Sequence, residues 1–278
     1  MGSLDFVYKN DSYLYENSLI DEEGLGQAIT SHELRLHYQP RFPLRSGCSQ
    51  ILEALVRWDH PSQGLLLPDE FIPLAEETGL IHDLGLWVVN QACRDFRLFK
   101  SETDSDISRI SINMSILQCE DTHTAQRVID LIQRNGLSPS DFEFELTESA
   151  AIRDESAVLR CCKALQEAGA EISLDDFGTG QASMLHLSRL PVHAIKIDRA
   201  FISRVDTHSR DRTMVRHLIH LCHDMGIKVV AEGVELRSQA QMLMGLGCDA
   251  LQGFYLCRPV EAKAAMSWRQ RSERLAVA

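Results

Sequence analysis

No apolar run in this 278-residue chain approaches the roughly 18–20 residues needed to cross a bilayer, and the N-terminus lacks the charged-then-apolar layout of a signal peptide. The chain therefore reads as soluble, with no membrane contact of its own. A cytoplasmic location is expected, unless an upstream segment anchors the full-length protein. Cysteine patterning is equally sparse. The eight cysteines, Cys48, Cys93, Cys119, Cys161, Cys162, Cys222, Cys248 and Cys257, form no CxxC pair and no framework spacing, which argues for a reducing compartment and against a structural zinc. The eleven histidines show no HxxxH or HExxH spacing, so no metal role is assigned to them. Positive charge is in deficit: 28 Lys and Arg against 40 Asp and Glu leave a net charge of −12, which disfavours DNA or RNA binding by phosphate neutralisation. An anionic substrate would need local positive charge, such as bound metal ions.

What the chain does have is alternation. Its length and 44% hydrophobic content suit one large α/β barrel or two ordinary domains, and strand-like runs recur to residue 254 without a break, which favours one. Short apolar runs at Gln50–Leu52, Arg109–Ile112, Asp141–Phe144, Glu171–Leu174, His193–Ile195, Ile227–Ala231 and Ala250–Leu251 read as buried strands. An earlier strand, Leu34–Gln39, is expected to stop at Pro40, which cannot continue a central ladder. Helical patterns lie at Glu23–Ile29, Pro68–Thr78, Ile81–Phe99, Thr122–Asn135, Glu155–Ala168, Gln181–Arg189, Asp211–Met225 and Ser238–Leu246, and Gly136, Gly169 and Gly226 fall where left-handed C-terminal caps belong. Eight strand candidates alternating with helices, and no GxGxxG turn after the first, predict a closed (β/α)8-type barrel rather than an open sheet. Residues 1–22 read as a polar leader or linker remnant, 23–265 as the domain and 266–278 as a tail.

Seven polar residues end the seven runs: Glu53, Asn113, Glu145, Asp175, Lys196, Glu232 and Gln252. In a barrel, the C-terminal strand ends carry the chemistry. Glu53, Asn113, Glu145, the pair Asp175–Asp176 and Glu232 are hard oxygen ligands, suited to Mg²⁺ or Mn²⁺ rather than zinc. Adjacent aspartates oppose joint ionisation unless positive charge separates them. Two divalent cations, with one aspartate bridging, would do so, and such a pair is a recurring solution for phosphoester hydrolysis. Lys196 could orient the attacking water or offset charge. Each residue alone has a plainer reading: a solvated loop glutamate, an aspartate helix cap, a paired surface lysine, an asparagine turn. Their conjunction at seven strand ends favours the site. Trp58, Trp87 and Trp268 read as packing residues.

The motifs resemble a known family. EALVRWDHP from Glu53, with YQP at Tyr38–Pro40, INMS at Ile112–Ser115, ELTES at Glu145–Ser149, LDDFGTG at Leu174–Gly180, LPVHAIKIDRAF at Leu190–Phe201, VVAEGVE at Val229–Glu235 and QGF at Gln252–Phe254, is similar to the EAL domain of cyclic di-GMP phosphodiesterases over roughly residues 24–262. The resemblance implies a modified TIM-type barrel with one antiparallel early strand, and hydrolysis of cyclic di-GMP to linear pGpG with Mg²⁺ or Mn²⁺. It implies that Glu53, Asn113, Glu145 and Asp175 hold a first metal, and that Asp175 and Asp176 hold a second, with Glu232 as ligand or base. Lys196 would contact the nucleophilic water, and Gln252 would help position it or the second metal. Gln39, Leu55, Arg57 and Asp198 would line the substrate groove, while Glu148 and Glu235 would brace the DDFGTG loop. A homodimer and an upstream sensor or GGDEF module are also implied. The chain departs from the family at Gln181-Ala182-Ser183-Met184, where Tyr-Ser-Ser-Leu is common; this bears on loop stiffness and regulation, not on the ligands.

The rival reading is a non-catalytic cyclic di-GMP receptor, which should have lost metal ligands; none is missing. A barrel hydrolase for another phosphoester would keep the metals without needing Gln39 and Arg57. Calcium, which fits oxygen ligands but prefers looser coordination than Mg²⁺, is expected to inhibit.

Overall fold

The computed structural model describes residues 20–45, 50–101, 107–147, 154–178 and 184–266. In chain order these form α1 (Glu22–Thr30), β1 (Leu34–Pro43), β2 (Gln50–His60), β3 (Gly64–Leu66), α2 (Pro68–Thr78), α3 (Ile81–Ser101), β4 (Ile107–Met114), α4 (Ile116–Glu120) and α5 (Thr124–Arg134). There follow β5 (Phe142–Thr147), α6 (Glu155–Glu167), β6 (Glu171–Phe177), α7 (Met184–Arg189), β7 (Ala194–Ile197), α8 (Arg199–Ile202) and α9 (Ser209–Asp224). The chain continues through β8 (Lys228–Ala231), α10 (Arg237–Gly245), β9 (Ala250–Leu251), β10 (Val260–Glu261) and α11 (Ala262–Met266). Every expected helix has a counterpart within a few residues. The first three residues of the expected Gln181–Arg189 helix lie outside the described residues, as do most of the leader, the tail from residue 267, Cys48 and Trp268. No described helix is long and apolar enough to cross a membrane.

Eight strands close into a barrel. From β2 the ladder runs in parallel through β4, β5, β6, β7, β8 and β9, and β1 seals the gap antiparallel to both β2 and β9. β3 and β10 are short antiparallel additions outside the ring. The expected eight-strand closure and the single antiparallel early strand are both present.

β1 does not stop at Pro40, as the sequence suggested; it runs on to Pro43. The reason lies in peptide direction. Leu44 N donates to Asp249 O at 2.9 Å, so alternation puts the nitrogens of Phe42 and Pro40 on that same side. Pro40 there falls between the last β10 partner, Tyr38↔Val260, and the first β9 partner, Phe42↔Leu251. Its missing N–H therefore breaks no ladder bond. β2 likewise outruns its expected end: it extends to His60, and Glu53 lies inside it rather than at its end.

Alternation along each strand separates two chemistries. Even-numbered residues of β5 face the helices, where the rings of Phe142 and Phe96 of α3 meet edge to face, 5.9 Å between centroids. Tyr38 of β1 packs the same way on Phe99, at 5.1 Å. With Leu52, Ile110, Ile112, Leu174, Ile195 and Val229 these residues form an apolar layer between barrel and helices, each large side chain contributing roughly 1.5–3 kcal/mol by leaving water. Trp58 lies in that core, its indole N–H bonded to Glu33 at 3.0 Å. The expected C-terminal caps Gly136, Gly169 and Gly226 all have positive φ.

Candidate active site

The other face of the same strands is charged. Barrel interiors of this type are normally filled by branched aliphatic residues. Here Arg41, Ser111, Glu143, Glu145, Ser173 and Lys196 are all buried polar groups on the inner parity. Deepest is an ion network. Arg41 Nη1 donates to both oxygens of Glu143 at 3.0 Å each, and its Nη2 reaches Glu145 Oε1 at 2.6 Å. Lys196 Nζ then bonds the other oxygen, Oε2, of Glu145.

Above that floor Lys196 gathers the carboxylates of the barrel mouth. Its ammonium lies 2.6 Å from Glu232, 3.3 Å from Asp175 and 3.5 Å from Glu53, in addition to Glu145. Burial alone would lower its pKa, but Asp175, Glu145, Glu232 and Glu53 outweigh that and hold it charged. Glu53 is fixed from two more sides: Asn113 Nδ2 donates to Oε1 at 2.8 Å, and Gln252 Nε2 donates to Oε2. Burial raises the Glu53 carboxyl, yet Lys196 and these two amides leave it below its ordinary value. Its neighbours go the other way. Burial pushes Glu145 up to about 8 despite Lys196, and Glu232 well above the usual carboxylate range. Burial and then Asp175 push Asp176 up to about 6.

Asp175 and Asp176 should point to opposite sides of a regular strand. A bulge brings them together: three steps of β6, Leu174 to Phe177, match two of β7, Ile195 to Ile197. Asp176 sits in the bulge at φ +53°, in the left-handed region, the non-glycine residue there among those described. Two groups of carboxylates result. Glu53, Glu145 and Asp175 converge, as do Asp175, Asp176 and Glu232, with ligand oxygens within 4.8 Å of one another in each group. Asp175 is common to both.

Charge and donor type both suit cations. Six carboxylates, Glu53, Glu143, Glu145, Asp175, Asp176 and Glu232, face two cations, Arg41 and Lys196. With all six ionised, the form that bound cations would favour, the four-charge deficit equals the charge of two divalent ions. In addition, the buried Oε1 of Gln252 has no hydrogen-bond partner, so a carbonyl acceptor is available beside Glu53. All-oxygen donors fit hard ions.

Two cavities flank the cluster. One of about 520 Å³ is walled by Leu55, Ile72, Asn113, Ser115, Asp175 and Asp176 among others. A smaller one of about 170 Å³ touches Gln39, Lys196, Glu232, Glu235 and Phe254. All seven residues that follow the short apolar runs meet here, with Asp176. Gln39 joins them, donating to Cys257 O at 2.8 Å and accepting from Gln252 at 3.2 Å. Leu55 lines the larger cavity. Arg57 shares the inner face of β2, but its guanidinium turns back to Val56 O at 2.8 Å and is not part of that cavity wall. Asp198 caps α8, accepting from Ala200 N at 2.8 Å, and its charge acts on Asp176. Glu235 pairs with Arg199 at 2.8 Å. Glu148 lies outside the described residues.

Sequence reasoning missed Arg41 and Glu143. Both carried a signal: Arg41 has the parity of Gln39 if the strand is followed through Pro40, and Glu143 that of Glu145.

Fold and site together define an α/β barrel with one antiparallel strand and an acidic, cation-suited cluster at its carboxyl rim. Within that class the chain belongs to the EAL domain family, whose model matches residues 22–259. MucR of Pseudomonas aeruginosa, described as a bifunctional diguanylate cyclase and cyclic di-GMP phosphodiesterase, is 42% identical over 243 residues, covering 87% of this chain and 35% of that protein. The cyclic di-GMP phosphodiesterase NbdA of the same organism is 38% identical over 243 residues, covering 87% and 31%. A solved structure of the PaMucR phosphodiesterase in complex with c-di-GMP has a TM-score of 0.79 at 42% identity, covering 87% of this chain and 98% of that one. The chain thus spans about a third of the length of the curated relatives it matches.

Proposed function

We propose that this domain hydrolyses cyclic di-GMP to linear pGpG with two divalent cations, Mg²⁺ or Mn²⁺. The observation that carries this reading is the pair of carboxylate groups sharing Asp175 on the wall of the larger cavity; the relatives' activities support the choice of substrate. Glu53, Asn113, Glu145 and Asp175 would hold one ion, and Asp175, Asp176 and Glu232 the other. When bound, such ions activate water and stabilise charge on the phosphoryl oxygens. Lys196, fixed by four carboxylates, would donate to the attacking water. Glu232 would bind the second ion or take that water's proton, and Gln252 would offer its unpartnered carbonyl. The water oxygen would bond to phosphorus as it gives up a proton, the bond to the ribose 3′ oxygen would break, and that oxygen would take a proton from solvent and leave as a hydroxyl. Leu55 and Gln39 support binding at the groove, and Arg57 would need to swing from Val56 O to reach a phosphate or guanine edge. Residues around Asp176 and Glu235 would couple the site to a homodimer contact and to an upstream sensor or GGDEF module. A cytoplasmic site of action follows from the substrate's role as a second messenger.

Incubating purified protein with cyclic di-GMP, with and without Mn²⁺, and resolving the products by chromatography tests this. Metal-dependent pGpG is expected, with Ca²⁺ inhibiting. No product under several metal and pH conditions would sink the phosphodiesterase reading.

A further inference from the structure

Arg41 is 4% exposed beneath the acidic groups, and nothing in the chemistry above uses it. Nη1 alone serves both oxygens of Glu143, which leaves Nη2 to reach a second carboxylate. The third contact, Nη2 to Glu145 Oε1 at 2.6 Å, is additional. It occupies one oxygen of a carboxylate that belongs to the first cation group and leaves the other, Oε2, aimed at Lys196 and the mouth. Glu145 is fully buried, pairs in register with Asn113 on the neighbouring strand, and is gripped from below by Arg41.

We propose that Arg41 is a positioning residue that presents Glu145 to the first cation site as a one-oxygen ligand, with Glu143 present to balance and orient the guanidinium. Lysine could not replace it. A single ammonium supplies the charge but not the planar fork that reaches Glu143 twice and Glu145 once. Residues that orient a ligand from behind typically contribute about 10- to 100-fold to metal affinity.

This inference rests on the cation reading of the proposed function. Its test is a calorimetric titration of the metal-free protein with Mn²⁺, without substrate. Arg41→Lys should weaken binding at one of two sites by about 10- to 100-fold and leave the other unchanged. With cyclic di-GMP, kcat should recover at high Mn²⁺ while KM stays at the wild-type value. If Arg41→Lys fails to fold, Arg41→Met combined with Glu143→Met removes the buried pair as a unit, an exchange proteins often tolerate; it should show the same loss. Wild-type Mn²⁺ affinity in a folded variant, with only thermal stability changed, would reduce Arg41 to a structural role and overturn the proposal. So would a wild-type protein that binds no Mn²⁺. A wild type that binds two Mn²⁺ and forms no pGpG overturns the phosphodiesterase reading while leaving the Arg41 comparison intact.

Discussion

The two faces of the barrel wall are made from alternate residues of the same strands, yet their energetics are opposite. Outward, Phe142, Phe144, Leu174 and Ile195 are wholly or nearly buried against the helices, and their burial stabilises the fold whatever the solvent contains. Inward, Glu143, Glu145, Asp175 and Lys196 are as deeply buried but carry more negative charge than the protein's own cations offset. Burying such groups costs stability unless partners are complete. The outer face holds the barrel together so that the inner face can stay electrostatically incomplete, and incompleteness is what makes a cation bind.

If that division is right, substitutions on the two faces should separate stability from activity. The largest effect is expected at Asp175, shared by both carboxylate groups. Asp175→Asn should lower kcat by about 10⁴-fold or more, roughly 5.5 kcal/mol in barrier. The metal-free variant should unfold in urea no earlier than wild type, because one buried negative charge is gone. Early unfolding would break the comparison. Phe144→Ala on the outer face should do the reverse, losing about 3–5 kcal/mol of stability through the cavity it leaves, while Mn²⁺ affinity per folded molecule holds. A change in that affinity would show that the faces are coupled.

A smaller inner-face effect tests hydrogen bonding apart from charge. Gln39 lies opposite Glu53 in the strand register, but its hydrogen bonds go to the Gln252 amide and Cys257 O. Gln39→Ala should lower kcat about 10-fold, equal to 1.4 kcal/mol, with Mn²⁺ affinity unchanged; calorimetry and steady-state kinetics on one preparation check both halves.

The inner face was largely legible in the sequence because strand ends are short, bounded by loops and repeated. A ligand at the close of an apolar run needs no knowledge of register to be noticed. What escaped depended on geometry that crosses strands. Pro40 looked like a terminator because its neighbour's gap, between β10 and β9, exists only once the barrel is closed; with the strand cut there, Arg41 lost its parity. Asp175 and Asp176 were grouped by adjacency, although a regular strand would have parted them, and the bulge that unites them shows only in the pairing with β7. Asp198 reads as a groove residue from its motif; that its side chain also caps α8 shows only in the folded chain. Sequence thus exposed which groups converge, while closure and bulging decided how.

The smallest expected effect probes a polar contact on the outer face. Tyr38 donates to Asp95 Oδ2 at 2.7 Å and Gln91 to Oδ1 at 3.0 Å, joining β1 to α3. Burial raises the Asp95 carboxyl, and the bonds from Tyr38 and Gln91, with the charge of Arg94, only partly oppose it. Because the folded pKa is the higher one, the folded protein retains a proton that the unfolded chain has released once pH passes the ordinary aspartate value of about 3.9. Asp95 therefore makes stability fall as pH rises from there through its folded pKa, and contributes no slope above it. Asp95→Asn should remove that slope. Relative to the variant, wild type should lose stability between pH 4 and the plateau, about which urea midpoints at half-unit steps would decide. Parallel profiles would mean that the carboxyl is not raised. Unchanged kcat in the variant would sharpen the division, since Tyr38 neighbours Gln39 in sequence but faces the other side of the wall.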